Sequence, residues 1–211
     1  MESGERQQLE QRIRGFCLRG ETGHAVQAAL EGYGPEFMRL LGSILHDREQ
    51  TRDAYSSLTE QLLVDLPSFR WDCSFRTWAY QVARHIAYRM IASPAARELP
   101  VSVGAFRDEV QPEQSLTKPW LQSTVKARFR ELRAQLSPHE QAILTLRVDQ
   151  RMSWHEVARA MAGPEEALSP AALDRKSAVL RQQFQRVKER LRELAREAEM
   201  LTSGRGEQAP L

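Results

Sequence analysis

Between Ser68 and Ala87 the chain interleaves aromatic and basic side chains more densely than anywhere else along its length. Trp71, Phe75, Trp78 and Tyr80, with Tyr88 just beyond, stand beside Arg70, Arg76, Arg84 and Arg89. Flat aromatic faces on which bases stack, flanked by guanidinium groups for phosphates, are what binding of single-stranded nucleic acid demands. A second basic segment lies between Pro170 and Arg196. There Arg175, Lys176, Arg181, Arg186, Lys188, Arg190, Arg192 and Arg196 face only Asp174, Glu189 and Glu193. Such a local excess is the electrostatic footprint of a DNA-facing helix. A solvated helix face is the plain alternative.

Other chemistries find little support. His24, His46, His85, His139 and His155 are scattered without metal-ligand spacing, and no Gly-rich phosphate loop, nucleophile elbow or carboxylate pair is visible. Cys17 and Cys73 are too few for a disulfide framework, and Cys73 reads as a structural thiol rather than a nucleophile. The net charge of +2 says little about partners; its distribution says more. No apolar run approaches a membrane span, and the polar start Met1-Glu2-Ser3-Gly4 is expected to be neither signal peptide nor anchor. A reducing cytoplasm is the expected compartment.

The elements that must position these residues read as helices throughout, with no convincing alternating strand. Helices are expected over about Leu9 to Leu18, Thr22 to Leu30, Pro35 to Leu45, Gln50 to Leu66 and Ser74 to Ile91, with a break at Gly32-Tyr33-Gly34-Pro35. Pro94, Pro100, Pro112 and Pro119 mark an extended linker. The expected organisation is an all-α chain of two small helical domains, residues 7–92 and 120–200, joined by a linker at 93–119 and followed by a frayed tail at 201–211. In the second domain Ser137 and Glu140, and again Ser153 and Glu156, have capping-box spacing. The first of these helices should carry Ile143, Leu144, Leu146 and Val148 inward. Leu180, Phe184, Val187, Leu191, Leu194 and Ala198 form one apolar stripe. Arg181, Gln182, Gln185, Arg186 and Lys188 fall off it, and Arg and Gln are the side chains that read guanine and adenine edges in the major groove. A helix-turn-helix is expected, its last helix reading bases. Its turn is long: from Ala162 to Arg175 the last helix either starts early, at Pro170, or an additional short helix intervenes.

Several stretches resemble the sigma-70 family of bacterial RNA polymerase initiation factors, in particular its compact extracytoplasmic-function group (group IV). They are Gly20-Glu21, Ala28-Ala29-Leu30, Tyr33-Gly34-Pro35, Asp53-Ala54-Tyr55 and the specific run Ser74-Phe75-Arg76-Thr77-Trp78-Ala79-Tyr80-Gln81-Val82-Ala83-Arg84-His85. Leu136 to Leu146, Met152 to Ala158 and Gln185 to Leu194 extend the likeness over most of the chain. The resemblance implies a sigma domain 2 bundle followed by a helix-turn-helix domain 4. It implies that Arg70, Trp71, Asp72 and Ser74 capture a flipped base of the minus-10 element, and that Arg76, Trp78, Arg84 and His85 hold the melted strand. Lys176, Arg181, Gln182, Gln185, Arg186 and Lys188 would contact the minus-35 duplex. Asp53, Ser57, Glu60 and Gln61 would meet the polymerase.

The implied partners are core RNA polymerase and promoter DNA, with room for an anti-sigma factor, no membrane insertion, no cofactor and no catalytic activity. Three departures stand out: Ser56-Ser57 where the family has Gln-Glu, His85 where Asn is common, and the enlarged turn. They keep open a degenerate sigma-like protein or a stand-alone helix-turn-helix regulator.

Overall fold

A computed structural model describes residues 3–93, 128–163, 166 and 168–203 of the chain. The expected linker at 93–119, the start of the second domain and the end of the tail fall almost wholly outside them. Among the described residues the protein is all-α. Helices α1 (Ser3–Leu18), α2 (Thr22–Leu45), α3 (Arg48–Asp65) and α4 (Phe75–Ala92) form an N-terminal bundle, with a short 3-10 turn at Leu66–Ser68 before the loop that enters α4. Then come a helical segment at 128–134, α5 (Pro138–Leu144), a π-helical turn at Thr145–Asp149, α6 (Trp154–Ala160) and the long α7 (Pro170–Ser203).

Local chemistry accounts for most of the boundaries. Asp47 caps α3 by accepting from the Gln50 backbone N–H at 2.8 Å, and Ser74 caps α4 by accepting from that of Thr77. Both expected capping boxes are present: Ser137 with Glu140 opens α5, and Ser153 with Glu156 opens α6. Helix α7 begins at Pro170, so the first of the two alternatives for the long turn holds. The Ser169 hydroxyl accepts from the Ala172 N–H at its start.

Two expectations are corrected. The break at Gly32 to Pro35 does not exist: α2 runs through it, with Pro35 inside the helix. An interior proline forfeits a backbone hydrogen bond, a cost of about 3 kcal/mol. Tertiary burial outweighs that cost here, because Tyr33, Phe37, Leu40, Leu41 and Ile44 are all sealed in the core. The two glycines serve close approach instead. A Cβ on Gly32 would lie 2.2 Å from Leu9 Cδ2, and one on Gly34 would lie 2.6 Å from the Tyr55 hydroxyl. Second, Val148 points outward, about half exposed, while Ile143, Leu144 and Leu146 are buried as expected. The wider π turn rotates the end of the segment off the register that the α-helical period assigns.

The two halves are packed on each other. One apolar cluster runs from Leu9 and Ile13 through Phe37, Leu58, Phe75 and Tyr80 to Ile143, Val157, Met161 and Leu180. Helix α5 lies against α2, and α6 lies against α4. At the α2–α5 seam Thr145 Oγ1 donates to Ser43 Oγ at 3.0 Å, and the Gln141 amide meets His46 Nε2. Arg133, in the segment before α5, holds Asp149 at 2.7 Å and so ties the π turn down.

Candidate nucleic-acid interface

The aromatic part of the candidate site is built on the loop between the 3-10 turn and α4. Phe69 stacks on Trp78, with centroids 4.7 Å apart and planes inclined by 20°, and Trp71 leans on Phe69 at 4.9 Å. Phe75 closes the group edge-on to Trp78. Trp71 sits at φ +60°, a left-handed conformation that costs a non-glycine residue about 1–2 kcal/mol. The Arg14 guanidinium, 5.4 Å from its ring, helps to hold it there. Arg70 and Asp72 flank the loop as an exposed pair at 3.5 Å.

A groove of about 490 Å³ runs beside this cluster between α3 and α4. Trp78, Gln81, Val82, His85, Arg89 and Ala92 follow one another along α4 at helical spacing and form one wall; Gln61 and Asp65 of α3 form the other. Sequence reasoning places Trp78 and His85 here, but it misses Gln81, Phe69 and Arg14. Gln81 is detectable in principle, because it lies three residues after Trp78 and four before His85. Phe69 and Arg14 reach the site only through the tertiary fold.

The remaining basic residues of α4 have other partners. Arg76 is buried, with Nε 2.7 Å from Glu36 Oε2, and Tyr80 donates to the same carboxylate. Burial works against its charge, but Tyr80 and Glu36 outweigh that effect and leave the guanidinium pKa raised. Arg84 is buried against α6, and burial lowers its pKa despite Tyr88 and Glu166. His85 lies 2.9 Å from the Ala162 carbonyl and 2.5 Å from Arg84 Nη2. Its Nε2 can donate to the one or accept from the other, never both. Burial, then the neighbouring Arg84, lower its pKa and favour the neutral ring. Ser74 is occupied as the cap of α4.

Glu10 supplies a device no motif announces. Its carboxylate accepts from the N–H groups of Phe75 at 2.8 Å and Arg76 at 3.0 Å, and from the Tyr33 hydroxyl at 2.9 Å. It thereby satisfies the open N-terminus of α4 and fixes where that helix starts.

The C-terminal face is arranged differently. Arg181, Gln182, Gln185 and Arg186 project from α7 into solvent, while Leu180 and Val187 of the apolar stripe are buried. Lys188 lies over the Phe184 ring, and Lys176 is held by Glu166 at 2.6 Å. On α3, Asp53, Ser57 and Glu60 are exposed on one face. Gln61 is half-buried and donates to Asp65. Leu63 and Val64, apolar yet 41% and 72% exposed, extend that surface toward the helix end.

Cys73 is not set up as a nucleophile. Burial pushes the Cys73 thiol up to about 11, against the pull of Arg159, so it stays protonated at neutral pH. Among the described residues no group of three or more His, Cys, Asp or Glu side chains is placed to hold a metal. None of their helices is long and apolar enough to cross a membrane.

No protein-family profile matches the chain. It is similar to the RNA polymerase sigma factor YlaC of Bacillus subtilis, with 29% identity over 130 residues, covering 60% of this chain and 73% of that protein. It is also similar to the RNA polymerase sigma-H factor of Pseudomonas aeruginosa, with 24% identity over 169 residues, covering 75% of this chain and 83% of that protein. These similarities support a sigma-factor role at a general level.

Proposed function

We propose that the chain is an RNA polymerase sigma factor of the extracytoplasmic-function type, acting in the cytoplasm to direct core polymerase to promoters. The observation that carries this reading is the stacked Phe69–Trp78 pair at the mouth of a groove walled by Gln81, His85 and Arg89. Stacking surface and hydrogen-bonding groups line one helix, as a melted strand requires. The outward Arg and Gln residues of α7 supply a second, duplex-reading surface.

In this mechanism α3 docks on the polymerase. Asp53, Ser57 and Glu60 give the polar contacts, with Gln61 at the edge, and exposed Leu63 and Val64 add apolar area. Helix α6 and α7 act as a helix-turn-helix on the minus-35 duplex. Lys176 and Lys188 serve phosphates, and Arg181, Gln182, Gln185 and Arg186 reach base edges. The loop of Arg70, Trp71 and Asp72 then receives a base of the minus-10 element once it leaves the stack, while Trp78, His85 and Arg84 hold the strand. Unstacking costs a few kcal/mol per base, and base–aromatic stacking returns about 1–3 kcal/mol. The loop aromatics therefore offset much of the cost of keeping a base unstacked, and the polymerase and the remaining contacts supply the rest. No step calls on a cofactor.

The test is transcription in vitro by bacterial core RNA polymerase plus this chain on a library of random promoters, with the transcripts sequenced. Start sites that share a two-part upstream motif are expected. Stable polymerase binding without initiation would leave a degenerate sigma-like protein. No polymerase binding would sink the reading in favour of a stand-alone DNA-binding regulator.

A further inference from the structure

The outward side of α7 carries an apolar residue that folding does not explain. Val179 is 51% exposed, belongs to neither apolar cluster, and lies off the stripe of buried Leu173, Leu180 and Val187. Being β-branched, it supports a solvated helix less well than alanine would. Single exposed apolar residues are common and call for no explanation by themselves, but the neighbours of this one supply it. Arg175, Val179, Gln182 and Arg186 follow at spacings of four, three and four residues and form one stripe, every member exposed. Ala178, also exposed, stands beside it. In a row of side chains that can bond base edges, Val179 is the member that offers apolar contact alone.

We propose that Val179 reads the C5-methyl group of a thymine in the minus-35 element, with Ala178 widening the apolar contact. The proposal rests on the reading of α7 as the duplex-facing helix. Among the four bases thymine alone presents a methyl group in the major groove. A methyl is recognised by shape and by its removal from water, so its complement is a small apolar side chain. An Arg or Gln pressed on it would lose water without gaining a hydrogen bond. The early start of α7 makes Val179 available for this task. With the helix beginning at Pro170, about two and a half turns precede Val179, which therefore projects from a rigid helix rather than from its frayed start. Val179 stands about 4.5 Å along the axis from Gln182, and stacked bases are about 3.4 Å apart. Whatever the angle at which α7 crosses the groove, the thymine lies within about two base pairs of the base that Gln182 meets.

The test uses core RNA polymerase plus the full chain and two pools of random-sequence DNA duplexes, one made with thymine and the other with uracil. Uracil keeps the hydrogen-bonding groups of thymine and lacks only the C5-methyl. Duplexes that remain bound are sequenced, and the upstream element of the shared motif is compared between pools. Burying one methyl group is worth about fourfold in affinity. Thymine should therefore be enriched about fourfold at one upstream position of the first pool, and uracil should show no enrichment there in the second. Val179→Ala should abolish that enrichment and leave the other upstream positions as they are in the parent chain. Gln182→Ala should flatten a different position, within about two base pairs of the first. Both substitutions fall at exposed helix sites, where folding stability changes little.

Equal enrichment of thymine and uracil at every upstream position would overturn the proposal, because the methyl group would then not be read. A thymine preference that survives in Val179→Ala would overturn it too, by giving the methyl to another side chain. An upstream element missing from both pools, with the parent chain still bound to polymerase, would instead take α7 off the duplex. That result would sink the reading on which the proposal rests, and the role of Val179 with it.

Discussion

Helices α4 and α7 carry the same kinds of side chain in opposite circumstances. On α4, Arg76 and Arg84 are buried, each holding two or more acceptors supplied by other parts of the chain. On α7, Arg181 and Arg186 stand in water, with no ion-pair partner among the described residues. Arginine in a sequence therefore does not by itself mark a nucleic-acid contact. The buried pair organises the bundle and the junction between the two halves. The exposed pair adds charge and donors to a surface while contributing little to folding. A buried arginine can still be a contact residue, but only in a molecule that opens.

The comparison predicts opposite outcomes for matched substitutions, and the largest belongs to Arg76. Arg76→Ala leaves the largely covered Glu36 carboxylate without its cation and Tyr80 without the guanidinium packed on it, a loss of up to about 3–5 kcal/mol that urea unfolding should register. A change below about 1 kcal/mol would mean that Glu36 reaches water and that the pair is not structural. Next comes Glu10→Ala, which strips the acceptor from two backbone N–H groups and from Tyr33 at once. About 2–3 kcal/mol should go, and early unfolding should show in the α4 amides by hydrogen exchange. If those amides keep their protection, α4 does not depend on this cap.

How much of this could be read in advance follows from how local each cause is. The capping boxes at Ser137 and Ser153 span three residues and are visible in the sequence. So is the start of α7 at Pro170, as one of two alternatives. The stripe from Leu180 to Ala198 gives the buried side of α7, and with it the exposed Arg and Gln residues. Pro35 misleads because the core that overrides it comes from other helices. Val148 misleads because a π turn leaves no mark on an α-helical period. Glu10 acts on residues 65 and 66 positions away, and Arg84 on carbonyls 76 and 78 positions away. Arg84 was legible as basic and helical, but its acceptors are backbone atoms of a distant helix end, which no side-chain pattern encodes.

On the exposed side, Arg181→Ala should change folding stability by less than about 0.5 kcal/mol. It should weaken promoter binding by about 1–3 kcal/mol and relax the preference at one minus-35 position. Competition binding of the polymerase complex to promoter variants measures both. Uniform weakening across all variants, with a salt slope lowered by about 1, would make Arg181 a phosphate contact instead. An unchanged promoter affinity would remove α7's outward face from the duplex altogether.

The smallest effect concerns pH, and it arises where the two halves meet. His46 contacts the Gln141 amide across the α2–α5 seam, and burial lowers its pKa below the ordinary 6.5. His85 is lowered by burial first and then by Arg84, with Arg89 adding to the effect, while the Ala162 carbonyl opposes it. For a histidine whose folded pKa is depressed, the unfolded chain takes up the proton first. The stabilising contribution is thus complete above about pH 6.5 and declines as pH falls through the lowered folded values. Urea midpoints should therefore drop between about pH 7.5 and about pH 5.5, and His85→Asn should flatten part of that slope. A midpoint that holds or rises on acidification would show that neutral imidazoles do not help to hold the halves together. The contacts of Arg76, Arg84 and Gln81 would then carry the junction without them.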